Sequence, residues 1–260
     1  MRAKLVLFSL VMGCSNGGDK NDGGGMDGGG GDGIAGGITQ KGVITDRTSK
    51  QPEPGATVTV LGGASSAMTD MNGAYALSVP KDTPYTFFVT GDNHFKVIEQ
   101  ELIASDSFDR GSTTHPSNTD GNLLKSILMG QGFDPKLATF TVGLYKTGSC
   151  ASVDGALIDV DPPQAAAKVM YFSGGIPSTA MYQPWAKEGE LPAAILYNVD
   201  PKAAVKVKVT WASADGGMVG APCTQVPYPV QDPTTPSIKY TGNLVIDVGD
   251  VTSYERVYLK

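Results

Sequence analysis

Histidine occurs only twice in the 260 residues, tryptophan twice and cysteine three times. The scarcity of histidine confines imidazole chemistry to His94 and His115. His94 closes the polar turn Gly91-Asp-Asn-His94, and His115 precedes Pro116 in a Ser/Thr-rich stretch, so both read as surface loop residues. There is no His-Glu-x-x-His, no Gly-x-Ser-x-Gly and no phosphate-binding glycine loop, which removes the commonest metalloprotease, serine hydrolase and nucleotide readings. Lysine and arginine form no cluster, which excludes a nucleic-acid footprint. No run reaches the roughly 18 apolar residues that a spanning helix requires. The 26 acidic residues leave a glycosidase-type carboxylate pair open, but no spacing stands out as one. The expectation is a non-enzymatic chain with no cofactor and no metal.

What the chain has in abundance is turn chemistry. Glycine stands at 34 and proline at 17, with 40% hydrophobic and 18% charged residues and a formal net charge of −6. That composition disfavours long helices and favours short strands broken by turns, with enough apolar material for one or two cores.

The first 33 residues separate from the rest. Met1-Arg-Ala-Lys4 is basic, Leu5 to Met12 is apolar, and Gly13-Cys14 follows, the layout of a secretory leader over residues 1–13. Val11-Met-Gly-Cys14 resembles a bacterial lipobox, which implies lipid attachment at Cys14. The resemblance also implies an exported protein held to a membrane by that lipid, in the bacterial outer membrane or at the cell surface. Residues 14–33, rich in Gly and Asp, bury nothing and read as a tether. About twenty such residues span on the order of 25 Å.

Residues 34–103 read as a first β-sandwich. Thr57-Val-Thr-Val60 alternates strictly, Tyr75 to Val79 and Tyr85 to Val89 are strand-like, and Pro54-Gly55 and Asn72-Gly73 are turn dipeptides. Asp70-Met-Asn-Gly73 reads as an Asx turn rather than a calcium loop, since no distal acidic ligand follows. Gly42-Val-Ile-Thr-Asp46, Pro54-Gly-Ala-Thr-Val58, Thr69-Asp-Met-Asn-Gly-Ala-Tyr75 and Val79-Pro80 together resemble the carboxypeptidase regulatory-like domain. The resemblance covers about sixty residues. It implies a transthyretin-like (prealbumin-like) sandwich that serves as a non-catalytic module.

Residues 104–136 read as a connector carrying one short helix, Leu123 to Met129, stopped by Gly130. Residues 137–260 read as a second, degenerate sandwich, in which Gly155 to Val160 echoes Gly55 to Val60. Strands are expected at Leu137 to Tyr145, Lys168 to Phe172, Ala193 to Val199, Leu244 to Val248 and Glu255 to Leu259. Val205, Val207, Val209 and Trp211 share one face of another. The fold class is therefore all-β, with two antiparallel transthyretin-like sandwiches in tandem and one short helix between them.

With Cys14 assigned to lipid, Cys150 and Cys223 remain, either as a disulfide or as two buried thiols; export favours the disulfide. Aromatic residues concentrate in the second unit, and Tyr182, Trp185 and Tyr171 are the candidate ligand-binding residues. Tyr182-Gln-Pro-Trp185 is loop-like, while Trp211 reads as core. Tyr171 and Phe172 point to opposite faces, one to the core and one outward. The functional expectation is a cell-surface lipoprotein that binds carbohydrate. The alternative is a structural or protein-interaction scaffold of the envelope. The partners are then a membrane through the lipid, and a polysaccharide or an envelope protein, with no nucleic acid.

Overall fold

The computed structural model describes residues 36–260 except 64, 180, 202–203, 212–222 and 246–251. The leader, Cys14 and the tether lie outside the described residues.

The first strands are Ile38–Asp46 (β1), Thr57–Val60 (β2), Ser66–Met68 (β3), Ala74–Val79 (β4) and Phe87–Thr90 (β5). Their alternation is the cause of their placement: Tyr75, Leu77 and Val79 of β4 point inward, as do Val58 and Val60 of β2. The turn into β4 is built as an Asx turn. Asp70 Oδ1 accepts from the backbone N–H of Asn72 at 2.8 Å and of Ala74 at 2.9 Å. Gly73 sits at φ 72°, and a Cβ there would strike the Ile44 carbonyl.

Val97–Glu99 (β6) and Leu102–Ala104 (β7) divide the segment Phe95 to Ile103, which by its sequence reads as one strand. The break has a physical cause at Gln100. Its side-chain amide, at 1% exposure, accepts from Arg256 N at 3.0 Å and donates to Arg256 O at 3.2 Å, replacing a backbone partner. Phe108–His115 (β8) follows, then the helix Asn118–Met129 (α1), the one helix among the described residues. The helix begins five residues before the sequence-based start. Ser117 and Asp120 form a capping box, and Gly130 is the C-cap.

The remaining elements are Ala138–Lys146 (β9), Ala156–Asp161 (β10), Lys168–Ser173 (β11), Ile176–Ser178 (β12), Ala194–Val199 (β13), Lys206–Trp211 (β14), Val230–Gln231 (β15), Ile238–Tyr240 (β16) and Thr252–Leu259 (β17). Leu244 and Val245 lie outside any strand, and the rest of the strand expected there falls outside the described residues.

One nine-stranded sheet runs β12-β11-β13-β9-β17-β6-β5-β2-β3 through the whole molecule. The sheet β4-β1-β8 covers one half and β10-β14 the other, while β15-β16-β7 closes the first half. The first core contains Ile44, Val58, Leu77, Phe87 and Leu102, and the second contains Phe140, Val142, Ile158, Leu196 and Val207. The shared strand is β17. Tyr258 enters the first core, and Val257 and Leu259 enter the second. Since alternate residues face opposite sides of a strand, the two cores lie on opposite faces of the common sheet.

Three sequence expectations change here. The first core is not confined to residues 34–103. It takes Phe108 from the supposed connector and Val230, Ile238 and Tyr240 from the supposed second unit. The sandwiches are not purely antiparallel, because β8 runs parallel to β1 and β17 runs parallel to both β6 and β9. Tyr171 and Phe172 are both buried, at 4% exposure each. Tyr171 faces the second core, and Phe172 is covered by Leu124, Ile127 and Leu128 of α1. With both faces covered, β13 is buried at every residue and loses its alternation.

The first core also holds charge. Arg110 donates to Glu99 Oε2 at 2.6 Å with its side chain 3% exposed. Arg256 donates to the Tyr240 hydroxyl, which in turn donates to Asp232 Oδ2 at 2.8 Å. Buried charges are tolerated where such partners offset the loss of water.

Candidate functional site

Four segments converge at one end of the first sandwich. Asp46 ends β1, and Glu53 sits in the connection from β1 to β2, its N–H donating to the Ile44 carbonyl at 3.0 Å. His94 lies in the turn between β5 and β6, and His115 ends β8. The parallel register of β1 and β8 sets Asp46 directly beside His115. Gly91 leaves the space that the Glu53 carboxylate occupies: a Cβ there would collide with Glu53 and lie 3.4 Å from the His115 ring.

The Glu53 carboxylate lies between the two imidazoles. Oε1 is 3.2 Å from His94 Nδ1, and Oε2 is 2.9 Å from His115 Nδ1. The rings stack with centroids 4.8 Å apart and planes 19° from parallel. The far nitrogens are also held. His94 Nε2 lies 2.9 Å from Asp46 Oδ2, and His115 Nε2 lies 2.5 Å from the Phe95 carbonyl oxygen. His94 Nδ1 is in addition 2.7 Å from the Asp92 carbonyl oxygen. An open cleft of about 370 Å³, lined by Asp46, Pro52, Glu53, Pro54, Asp92 and His94, gives solvent access.

Electrostatics divides the two rings. Burial pulls His94 down, but its bonds to Asp46 and the Asp92 carbonyl, with the attraction of Glu53 and Asp46, together more than offset this and His94 ends above its ordinary value. For His115, burial outweighs the attraction of Glu53 and the value falls. Burial pushes Asp46 up, yet the Ser49 N–H and His94 bring it down to about 2. Asp46 Oδ1 accepts from Ser49 N at 2.5 Å and Thr48 N at 3.0 Å. The donor atoms of Glu53, His94 and His115 all lie within 4.8 Å of one another, so this set has the chemistry to hold a metal ion or to share protons.

The expectation that both histidines are surface loop residues is therefore corrected. His115 has no exposure, and the His94 side chain is 14% exposed. The cause is pairing across the sheet, since 62 residues separate Glu53 from His115. No local spacing could have signalled it.

The residues singled out from sequence lie elsewhere. Tyr182 is 77% exposed and its neighbour Met181 83% exposed. Trp185 is half-buried in the same loop. Tyr171 does not join them at a surface: its hydroxyl is buried, accepting from Ile158 N at 2.8 Å. Cys150 and Cys223 form a disulfide, with Cα atoms 5.0 Å apart.

No protein-family model matches the chain, and no curated protein matches it. Among solved structures, a mutant type II cohesin–X-dockerin complex from Acetivibrio cellulolyticus is similar at 20% identity, with a TM-score of 0.27 over 30% of this chain and 56% of that one. The chain thus spans little more than half of that neighbour. The Bacillus anthracis TIE protein is similar at 12% identity, with a TM-score of 0.25 over 86% of this chain and 34% of that one. A shaft pilin from Lactobacillus rhamnosus GG is similar at 10% identity, with a TM-score of 0.22 over 86% and 97%. At these levels the fold rests on this chain's own sheet registers, and no activity or partner is carried over.

Proposed function

We propose that this chain is an exported, non-catalytic β-sandwich binding module, anchored by lipid at Cys14, whose first sandwich is of the carboxypeptidase regulatory-like kind and whose ligand is a carbohydrate. The observation that carries the reading is the loop around Tyr182. Its ring is 77% exposed, yet the loop is firmly held. Tyr182 N and Gln183 N both donate to Thr179 O at 2.9 Å, and the buried Gln183 side chain donates to Trp185 O. Ala186 N donates to Ala156 O at 2.9 Å, tying the loop to β10. A rigid, exposed aromatic face loses little conformational freedom on stacking against the C–H face of a sugar. The disulfide supports export, because such bonds persist in oxidising compartments.

Glycan-array binding by the full chain beside Tyr182→Ala tests this. Binding that disappears in the variant is expected. A folded chain that binds no glycan refutes the carbohydrate reading. A second reading, a protein partner, is favoured by exposed methionines. Met68, Met71 and Met181 are 71%, 81% and 83% exposed, and methionine adapts well to protein surfaces. Cross-linking in the envelope that captures one partner through Met181 would favour it over the sugar.

A further inference from the structure

We propose that Glu53, His94 and His115 form a binding site for one divalent transition-metal ion, of which zinc is the natural probe. The inference stands apart from the identity of the ligand at Tyr182.

Hydrogen-bond arithmetic points to it first. A neutral imidazole carries one N–H. At His115 the Phe95 carbonyl, which can only accept, lies 2.5 Å from Nε2 and claims that proton. Nδ1 is then a bare lone pair, 2.9 Å from the acceptor Glu53 Oε2. Two lone pairs face each other in a buried setting, and a cation between them removes the conflict.

The outer partners are already in place. Metal-ligating histidines donate their other N–H to a carboxylate or a backbone carbonyl, which fixes the tautomer and the ring plane. Asp46 does this for His94 and the Phe95 carbonyl for His115. Nδ1 of His115 then faces Glu53, while Nδ1 of His94, 2.7 Å from the Asp92 carbonyl oxygen and 3.2 Å from Glu53 Oε1, gives up a proton and that carbonyl to reach the ion. Charge agrees. A dication bound through both Nδ1 atoms displaces any proton held there and lies against the carboxylates of Glu53 and, behind His94, Asp46.

Distances fit with a small adjustment. Ligand atoms on one tetrahedral zinc sit roughly 3.3 Å apart, given bonds of about 2.0–2.2 Å. The Glu53–imidazole separations are 2.9 and 3.2 Å, and all three donors lie within 4.8 Å. Closing the widest gap falls to His94, the most exposed of the three and carried on a turn. The cleft beside Glu53 and His94 supplies a path in and room for water as a fourth ligand. Two nitrogens and one carboxylate suit zinc and its first-row neighbours rather than calcium or magnesium. Once bound, the ion would clasp the β1–β2 connection, the β5–β6 turn and the end of β8.

The test is zinc titration into the chelator-stripped full chain, followed by calorimetry and thermal melting. One zinc per chain and a raised melting midpoint are expected. His94→Ala and Glu53→Gln should weaken binding by more than tenfold, and Asp46→Asn, a positioning change, by about 10–100-fold. His115→Ala is avoided because that ring has no exposure and its loss endangers the fold. Nitrogen-15 spectra of the unmodified chain give a readout independent of any variant: zinc should shift Nδ1, not Nε2, of both histidines. Absence of stoichiometric binding, unshifted Nδ1 signals, or affinity undiminished in both His94→Ala and Glu53→Gln would each overturn the site.

Discussion

The sharing of β17 between the cores makes a prediction that separates one cooperative body from two tandem domains. Leu77 lies on β4 with no exposure, deep in the first core. Both tryptophans, Trp185 and Trp211, lie in the second half, so tryptophan fluorescence watches only that half. Leu77→Ala removes buried apolar surface and leaves a cavity, at a cost of about 2–5 kcal/mol. In a chain of this size each kcal/mol moves the melting midpoint by about 2–4 °C, so the expected drop is roughly 4–20 °C. The drop should appear in the tryptophan signal, although the mutation touches nothing near either indole. The reason is mechanical. Strand β17 hydrogen-bonds to β6 of the first half and to β9 of the second along one register. Loosening the first core therefore exposes Tyr258 and frees the strand that delivers Val257 and Leu259 to the second. Leu196→Ala, in the second core, should in turn lower the melting midpoint of the Tyr75, Tyr85, Tyr240 and Tyr258 ring resonances of the first core, followed by NMR. The assay is thermal melting read by both probes on each variant. A tryptophan midpoint that stays at the wild-type value in Leu77→Ala, while the tyrosine signal falls, would refute the coupling.

Four further outcomes are expected. Reducing Cys150–Cys223 opens a link between residues 73 apart, worth about 4 kcal/mol on the chain-entropy relation, so calorimetry with and without reductant should show a clearly lowered midpoint; an unmoved midpoint would mean the link adds nothing. Asp46 is held at about 2 against an ordinary 3.8, so on acidification the unfolded chain takes up the proton first; its contribution is present above about pH 4, is lost toward pH 2, and should vanish from the acid limb of the stability curve in Asp46→Asn. The same variant should lower the His94 titration midpoint by NMR, because the Asp46 bond is the strongest influence raising it. Gly121→Ala gains about 1 kcal/mol of helix propensity but drives a Cβ into the Phe95 ring, where overpacking costs about 1–3 kcal/mol; denaturant melts should show net destabilisation, and a stabilised variant would show that Phe95 can move aside.

How much of this was legible in the sequence depends on where each strand keeps its information. Strand β4 carries its own: Tyr75, Leu77 and Val79 alternate, and the Asp70 turn fixes its start. Strand β10 and the disulfide were likewise readable, one from its echo of Gly55 to Val60 and one from cysteine number and export. Strand β8 was not. Phe-Asp-Arg-Gly-Ser-Thr-Thr-His looks like a loop, because its buried positions hold Arg110, Thr113 and His115 rather than aliphatic residues. Two of them are held by partners outside the strand: Arg110 by Glu99 of β6, and His115 by Glu53, 62 residues away. A period-two reading counts apolar residues and so passes over a strand whose inward side chains are polar. The return of β15 and β16 to the first core, over β7, was hidden for a related reason: strand order is set by long-range pairing, which leaves no local mark.

The candidate site is the extreme case of the same physics. Asp46, Glu53, His94 and His115 each sit among turn residues, so each alone is most economically read as solvated. What buries them is one another, with the proposed ion completing the set. His115 has no exposure, its Nε2 held by the Phe95 carbonyl and its Nδ1 turned to Glu53, and Glu53 lies inside because Gly91 leaves room and two imidazoles face it. Remove one member and the others become unpaired polar groups, which costs more than the pairing itself contributes. Such a set has no reason to persist as four separate surface choices; it is explained as one unit. The exposed Tyr182 loop presents the opposite logic. Its ring is exposed and what holds that loop is backbone hydrogen bonding, which is the ground on which the proposed sugar contact rests.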